Sequence, residues 1–337
     1  MDDTTGTLDE ALERLHLSGP ERDGWLSNHG PMAVEALVRH GQAPAVHRWL
    51  DHYKAKLEDM PDTDAPVTAR NWREALGDPR RIADWTAYFE RETAERPWRD
   101  VLAEWWPTLL PGIAAGATHP VIRVGHSVRT LLAGEPTAPR VQELAHALGY
   151  WAARHQPLPD LPTLTPAPSA AAALDAVPAV AVQSGGVLDR LAQLTGFPGW
   201  PERTPAGPDA ARTALEELVR ASTHRYATHG YGEPIMLVHA ATAPNAVLRT
   251  LPALPRELWA PSLAAAWAAS AAVTAAYTPA APAPYAPAAT TAEELFERAA
   301  AHGDDHTIKF TDTALDVGDA TALAAARRAI ELNPPAL

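Results

Sequence analysis

Cysteine is absent from this chain of 337 residues, which excludes disulfides, thiolate metal sites and a cysteine nucleophile together. Basic residues are also few. Lysine and arginine number 28 against 41 aspartates and glutamates, a net charge of −13. Nucleic acid and anionic membrane both need a basic footprint, so neither is an expected partner. No run approaches the uncharged apolar length that a membrane span requires. The acidic start Met1-Asp2-Asp3-Thr4-Thr5 lacks the charged-then-apolar pattern of a secretory signal. The expectation is a soluble cytoplasmic protein. Missing too are G-x-G-x-x-G, G-x-x-x-x-G-K-[ST] and H-E-x-x-H, so no dinucleotide fold, P-loop or zincin helix is signalled. Gly125-His126-Ser127-Val128-Arg129 has neither the second glycine nor the preceding strand of a nucleophile elbow.

What is present is helical periodicity almost throughout, with no several-residue strand alternation. The fold class expected is all-α: a single large multi-helix domain over 1–337, with Pro/Ala-rich loops near 157–180 and 278–290. Thr7 with Glu10 reads as a capping box for a first helix through Leu15, and Thr291 with Glu294 as a second. Pro31 and Gly41 bracket a helix in the usual N-terminal Pro, C-terminal Gly order. Pro107 and Pro111 predict a kink or split after Trp98. Glu233–Thr242 reads as one apolar piece, and Pro244 as the start of another to Leu251. Gly303-Asp304 and Gly318-Asp319 separate the last helices. No internal repeat is found.

With cysteine gone, histidine, aspartate and glutamate carry any metal chemistry, and there are 14 histidines. His29 stands before Gly-Pro at a helix start, and His119 before Pro120 at another. His239 sits among Met236, Leu237, Val238 and Ala240. His306 and Lys309 are three residues apart, on one helix face. An imidazole set among apolar residues needs a partner for each ring nitrogen, and a metal can satisfy several rings together. His126 follows His119 by seven residues and is a reserve ligand or hydrogen-bond donor behind the ligands. His47 and His52 lie on a charged amphipathic helix. His16, His40, His146, His155, His224, His229 and His302 sit mostly near helix ends, where the C-terminal dipole favours a partly charged ring, and read as structural. Tyr53, Trp106 and Tyr226 are secondary candidates for lining a flat pocket; the remaining tryptophans read as core.

Four blocks in order resemble those of the questin oxidase-like family. They are Ser27-Asn28-His29-Gly30-Pro31-Met32, His119-Pro120-Val121-Ile122-Arg123-Val124-Gly125, Ile235-Met236-Leu237-Val238-His239-Ala240-Ala241-Thr242 and Asp305-His306-Thr307-Ile308-Lys309-Phe310-Thr311. The resemblance implies an all-α oxygenase that opens or cleaves a ring of a polycyclic aromatic polyketide, anthraquinone-like, by a Baeyer–Villiger-type or C–C-cleaving reaction with O₂. It implies a mononuclear non-haem Fe(II) held by His29, His119, His239 and His306, with Lys309, carboxylated to a carbamate, as the anionic ligand. His306 and Lys309 are then the catalytic pair. Imidazole and carboxylate-like oxygen suit iron(II), with open positions for O₂. The electrons come from a hydroquinone form of the substrate or from NADPH bound transiently. The chain departs from the pattern at Arg123, where the resemblance leads one to expect a second histidine four residues after the first.

Each residue has a plainer reading. A histidine on an apolar face is commonly a satisfied core residue, and most lysines snorkel at the surface. Two other functions fit the same features: a non-catalytic helical carrier of a flat hydrophobic metabolite, or a metal-free, nicotinamide-dependent Baeyer–Villiger-type oxidase.

Overall fold

The structure is a computed structural model that describes residues 4–201, 205–286 and 289–337. Met1, Asp2 and Asp3 of the acidic start, and Pro287 and Ala288 of the loop near 278–290, lie outside the described residues. Helix dominates, and the only strands among the described residues are two pairs of two-residue strands. The all-α expectation is met. Over the length expected as one domain, 1–337, the chain divides into two compact units. One comprises Met1–Pro157 with Arg249–Pro255, the other Leu158–Leu248 with Arg256–Leu337.

In the first unit, helices Ile82–Glu95 and Ala138–Ala153 pack closely. Gly149 allows it: a Cβ there would lie 2.9 Å from the Thr86 backbone, so only glycine lets the two helices approach this far. Beside them Trp85, Tyr88, Phe89 and Trp105 make five edge-on contacts with centroids 5.2–5.6 Å apart, a geometry that aromatic quadrupoles prefer. The proline split occurs as expected. Helix Trp98–Leu109 carries Pro107 and gives way to 3₁₀ turns at Leu110–Gly112 and Ala115–Thr118 before helix His119–Ala133. The first capping box does not form. The helix runs Thr4–His16, which leaves Thr7 inside it rather than at its end.

In the second unit, helix Pro208–His229 packs on Trp259–Tyr277 and on Ala320–Leu332, and Asp305–Val317 packs on Ala320–Leu332. The terminal helices start and stop where their residues dictate. Thr291 and Glu294 form a reciprocal capping box, and Gly303 and Gly318 close helices at φ 77° and 74°. Asp304 and Asp319 each accept a first-turn N–H, at 2.8 and 3.0 Å. Pro244 departs from expectation. It lies inside helix His239–Thr250 instead of starting a new one, and the break comes at Val238. A proline in a helix leaves the carbonyl four residues back without its N–H; that carbonyl, Ala240, accepts the Ser270 hydroxyl at 2.7 Å. The sequence reading of apolar runs is also corrected. The helical segment Arg256–Tyr277 has the length and mean hydropathy (1.2) to cross a membrane, but 67% of that window is buried within the protein, as in a core helix.

Candidate functional site

His29 is the N-cap residue of helix Gly30–Arg39. Asn28 fixes the approach: its Oδ1 accepts the Gly30 N–H at 2.9 Å and its Nδ2 donates to the Gly19 carbonyl at 3.1 Å. The His29 N–H donates to the Tyr53 hydroxyl at 2.6 Å. Its ring stacks on His119, with centroids 4.4 Å apart and planes 18° from parallel.

His119 reaches that position through an unusual turn. Gly116, Ala117 and Thr118 have φ of 49°, 54° and 70°, three successive residues in left-handed backbone. For alanine and threonine that conformation costs about 1–2 kcal/mol each, and strain of this kind clusters at functional sites. The turn brings the Gly116 carbonyl under the ring, where it accepts Nδ1–H at 2.5 Å. Pro120 follows, at a helix position where no N–H is needed.

His239 repeats the arrangement in the second unit. It begins helix His239–Thr250 after the break at Val238, and its Nδ1–H donates to the Met236 carbonyl at 3.0 Å, again three residues back. His306 lies in the first turn of helix Asp305–Val317, with Nδ1 2.9 Å from Asp305 Oδ1. The His239 and His306 rings meet edge-on at 5.5 Å and 88°. One helical turn after His306, Lys309 is fully buried, as is Asp312 a turn further on. Tyr226, one of the secondary aromatic candidates, packs its ring on Phe310 at 4.3 Å. Asp304, Asp305 and His306 bring donor atoms within 4.8 Å of one another. Asp304 is already engaged by the Thr307 N–H and hydroxyl, each at 2.8 Å, so that trio is a helix start rather than an ion cage.

Three rings, His119, His239 and His306, therefore share one state. His119 and His239 commit Nδ1 to a backbone carbonyl and His306 places Nδ1 beside the Asp305 carboxylate, which makes Nε2 the candidate coordinating nitrogen of each ring. This is the outer-shell arrangement that orients metal-ligating histidines. Three buried hydroxyls lie close by in sequence: Thr118 Oγ1, Thr242 Oγ1 and Thr311 Oγ1, none of which has a hydrogen-bond partner among the described residues. Each is the kind of buried polar group that ordered water or an ion satisfies. The imidazole donor set fits a metal.

Arg123 and His126 do something else. Arg123 makes a bidentate pair with Glu143, at 2.5 and 2.8 Å, and His16 Nε2 adds a third interaction at 3.0 Å. Burial raises the Glu143 pKa, but the Arg123 charge and hydrogen bonds outweigh it and hold the carboxyl at about 2. His126 Nδ1 pairs with Glu35 at 2.7 Å, and Nε2 faces Arg249 at 3.4 Å. Arg129 clamps the same Glu35 carboxylate through two hydrogen bonds. Burial, opposed by Glu35, lowers the His126 pKa. Both of its nitrogens are engaged, so the reserve histidine works in a charge network here.

Of the expected ligands, the structure brings His29 together with His119 in the first unit and His239 with His306 in the second. The sequence reading missed the ring-orienting groups: the Gly116 and Met236 carbonyls and the Asp305 carboxylate. Asp305 stood in the quoted block beside His306 and could have been found there; a backbone carbonyl leaves no sequence signal.

The family model described as questin oxidase-like matches residues 26–191, just under half of the chain. His29 and His119 lie inside the match; His239, His306 and Lys309 lie beyond it. No curated protein matches the chain.

Proposed function

Because residues 26–191 match the questin oxidase-like family model, we propose that the chain is an oxygenase acting on anthraquinone-type polyketides. The finer reading is ring opening by Baeyer–Villiger-type insertion or C–C cleavage at a non-haem Fe(II). His29, His119, His239 and His306 are its candidate imidazole ligands. The single observation that supports it most is the common arrangement of His119, His239 and His306: buried, in blocks that resemble the family's, each with Nδ1 beside a local acceptor.

Iron, when bound, supplies O₂ binding and electron transfer to it. The chain's own residues do the rest. The Nδ1 hydrogen bonds fix ring rotation and tautomer, so each histidine presents Nε2 already ordered for binding. Lys309 supplies the anionic ligand if its amine adds to the carbon of CO₂ and gives up one proton, leaving a carbamate. Burial of the surrounding helix excludes the water that would hydrolyse it. The electrons come from a hydroquinone form of the substrate or from NADPH.

The test combines metal analysis of the purified protein with O₂ uptake on a hydroxylated anthraquinone. Iron at about one per chain and turnover lost to a chelator support the reading. Metal-free protein with chelator-insensitive turnover moves the function to the nicotinamide-dependent oxidase. Binding without O₂ consumption moves it to the carrier.

A further inference from the structure

The second unit contains a cavity of about 730 Å³ that none of the family blocks touches. One wall is helix Pro208–His229, which contributes Ala221, His224, Arg225 and His229. The facing wall is the Pro/Ala strip 278–282, which the sequence marks only as low complexity. That strip is pinned in place: the Tyr231 hydroxyl donates to the Ala281 carbonyl at 2.6 Å and the Ala283 N–H to the Thr228 carbonyl at 2.8 Å. Leu174, Arg225 and His229 are shared with a second, narrower pocket of about 10 Å³, room for one water-sized group, which we take as the cavity's inner end. Ser222, Tyr226, Leu237 and Ala240 close it. Ala240 directly follows His239, so the inner end backs onto the helix start that carries a candidate ligand.

Ser222 lines that inner end. It is 4% exposed, and its hydroxyl has no hydrogen-bond partner in the chain. A buried hydroxyl without a partner costs stability and is retained most simply where something else satisfies it. The charges around the cavity are already balanced. Arg225 pairs with Asp175 and reaches the Thr278 hydroxyl at 3.2 Å, and His224 pairs with Asp319 at 2.8 Å. Burial, then the Arg225 charge, lowers the His229 pKa, and its Nδ1 is already taken by the Thr228 hydroxyl at 2.8 Å and the Arg225 carbonyl at 3.3 Å, so Nε2 is the nitrogen it offers a ligand. The walls are otherwise alanine, proline, leucine and valine. Such a cavity has the size of a small-molecule site and no surplus charge to hold an ion.

We propose that this cavity binds an uncharged, apolar ring compound carrying hydroxyl or carbonyl oxygens, with Ser222 and His229 contacting those oxygens at the inner end. The inference rests on the oxygenase reading only for the choice of probe and for the reason to place a ligand beside His239. Ser222 is the residue that sets specificity, because an analogue without an oxygen at that end leaves its hydroxyl unpaired.

The experiment is calorimetric titration of the intact protein with an uncharged dihydroxyanthraquinone, with melting temperatures measured alongside. Ser222→Ala lowers affinity about five- to tenfold while the melting temperature holds or rises, since a purely structural hydroxyl without a partner is only relieved by its removal. Ala221→Trp, on the half-buried wall, lowers affinity at least about tenfold by filling the space. Both variants binding the dye as tightly as the parent, or the parent not binding it at all, overturns the proposal. Iron content and O₂ uptake of the parent judge the oxygenase reading separately, so the two can fail independently.

Discussion

His119 and His239 each begin a helix, and each gives its Nδ1 proton to the carbonyl three residues back, Gly116 for one and Met236 for the other. The backbone devices behind this common outcome differ. His119 is delivered by three left-handed residues, two of them not glycine. His239 is delivered by a helix break at Val238 and a proline-bearing helix whose orphaned carbonyl is satisfied by Ser270. The surroundings differ as well. The helix after His119 carries buried charge: Arg123 on Glu143, and His126 and Arg129 on Glu35. Around His239 and His306 the unit is largely apolar, built on Tyr226, Leu237, Val238, Val273 and Phe310, with Lys309 buried on the same helix as His306. One way of presenting Nε2, arrived at twice by unrelated backbone geometry, teaches that ring orientation is what the fold holds in common between its two units.

The sharpest way to break the comparison is at the ligands. His306→Ala and His239→Ala each lose bound iron and more than about 100-fold in turnover, beyond the range typical of outer-shell partners. Folded protein by circular dichroism with unchanged iron content contradicts this. The next effect separates the units. Glu35→Ala leaves Arg129 without its carboxylate and removes the His126 partner, and destabilises by about 3–5 kcal/mol in denaturant unfolding. A change under about 1 kcal/mol would sink the network's structural role. The same unit has a pH signature. The Glu143 pKa is depressed from 4.5 to about 2 on folding, so its stabilisation is complete above the unfolded value and is lost as pH falls from there through about 2. Glu143→Gln flattens acid unfolding over that window; an unaltered acid limb counts against the pair.

Smaller effects sharpen the ring-orientation claim. Asp305→Ala frees His306 Nδ1 and weakens iron binding about 10- to 100-fold, with little change in melting temperature. Equal iron affinity in the variant means that Asp305 does not orient the ring. Ser270→Ala strands the Ala240 carbonyl and costs about 1–3 kcal/mol. Adding Pro244→Ala restores the missing N–H and recovers most of that loss. A double mutant no more stable than Ser270→Ala means that the hydroxyl does not compensate for the proline.

Much of this was legible in the sequence. The helices, the proline split after Trp98 and the capping of the last three helices follow from local residue chemistry, and the four histidine blocks from a family resemblance. What was not legible involved partners distant in sequence or backbone states that side chains do not announce. Pro244 looks like a helix start until Ser270, thirty residues on from Ala240, takes up the carbonyl. Ala117 and Thr118 give no sign of positive φ. Arg123 reads as a missing histidine, and its side chain is instead committed to Glu143, twenty residues away. His224 and His229 read as helix-end histidines, yet they line a cavity whose other wall is a tract with no periodicity at all.

The central claim is that these oriented imidazoles hold an iron that reacts with O₂. Elemental analysis of the protein as purified, paired with O₂ consumption on a hydroxylated anthraquinone before and after chelation, tests it most directly. The account predicts about one iron per chain and turnover that disappears with the metal and returns on adding Fe(II). Turnover that persists in protein free of iron contradicts it.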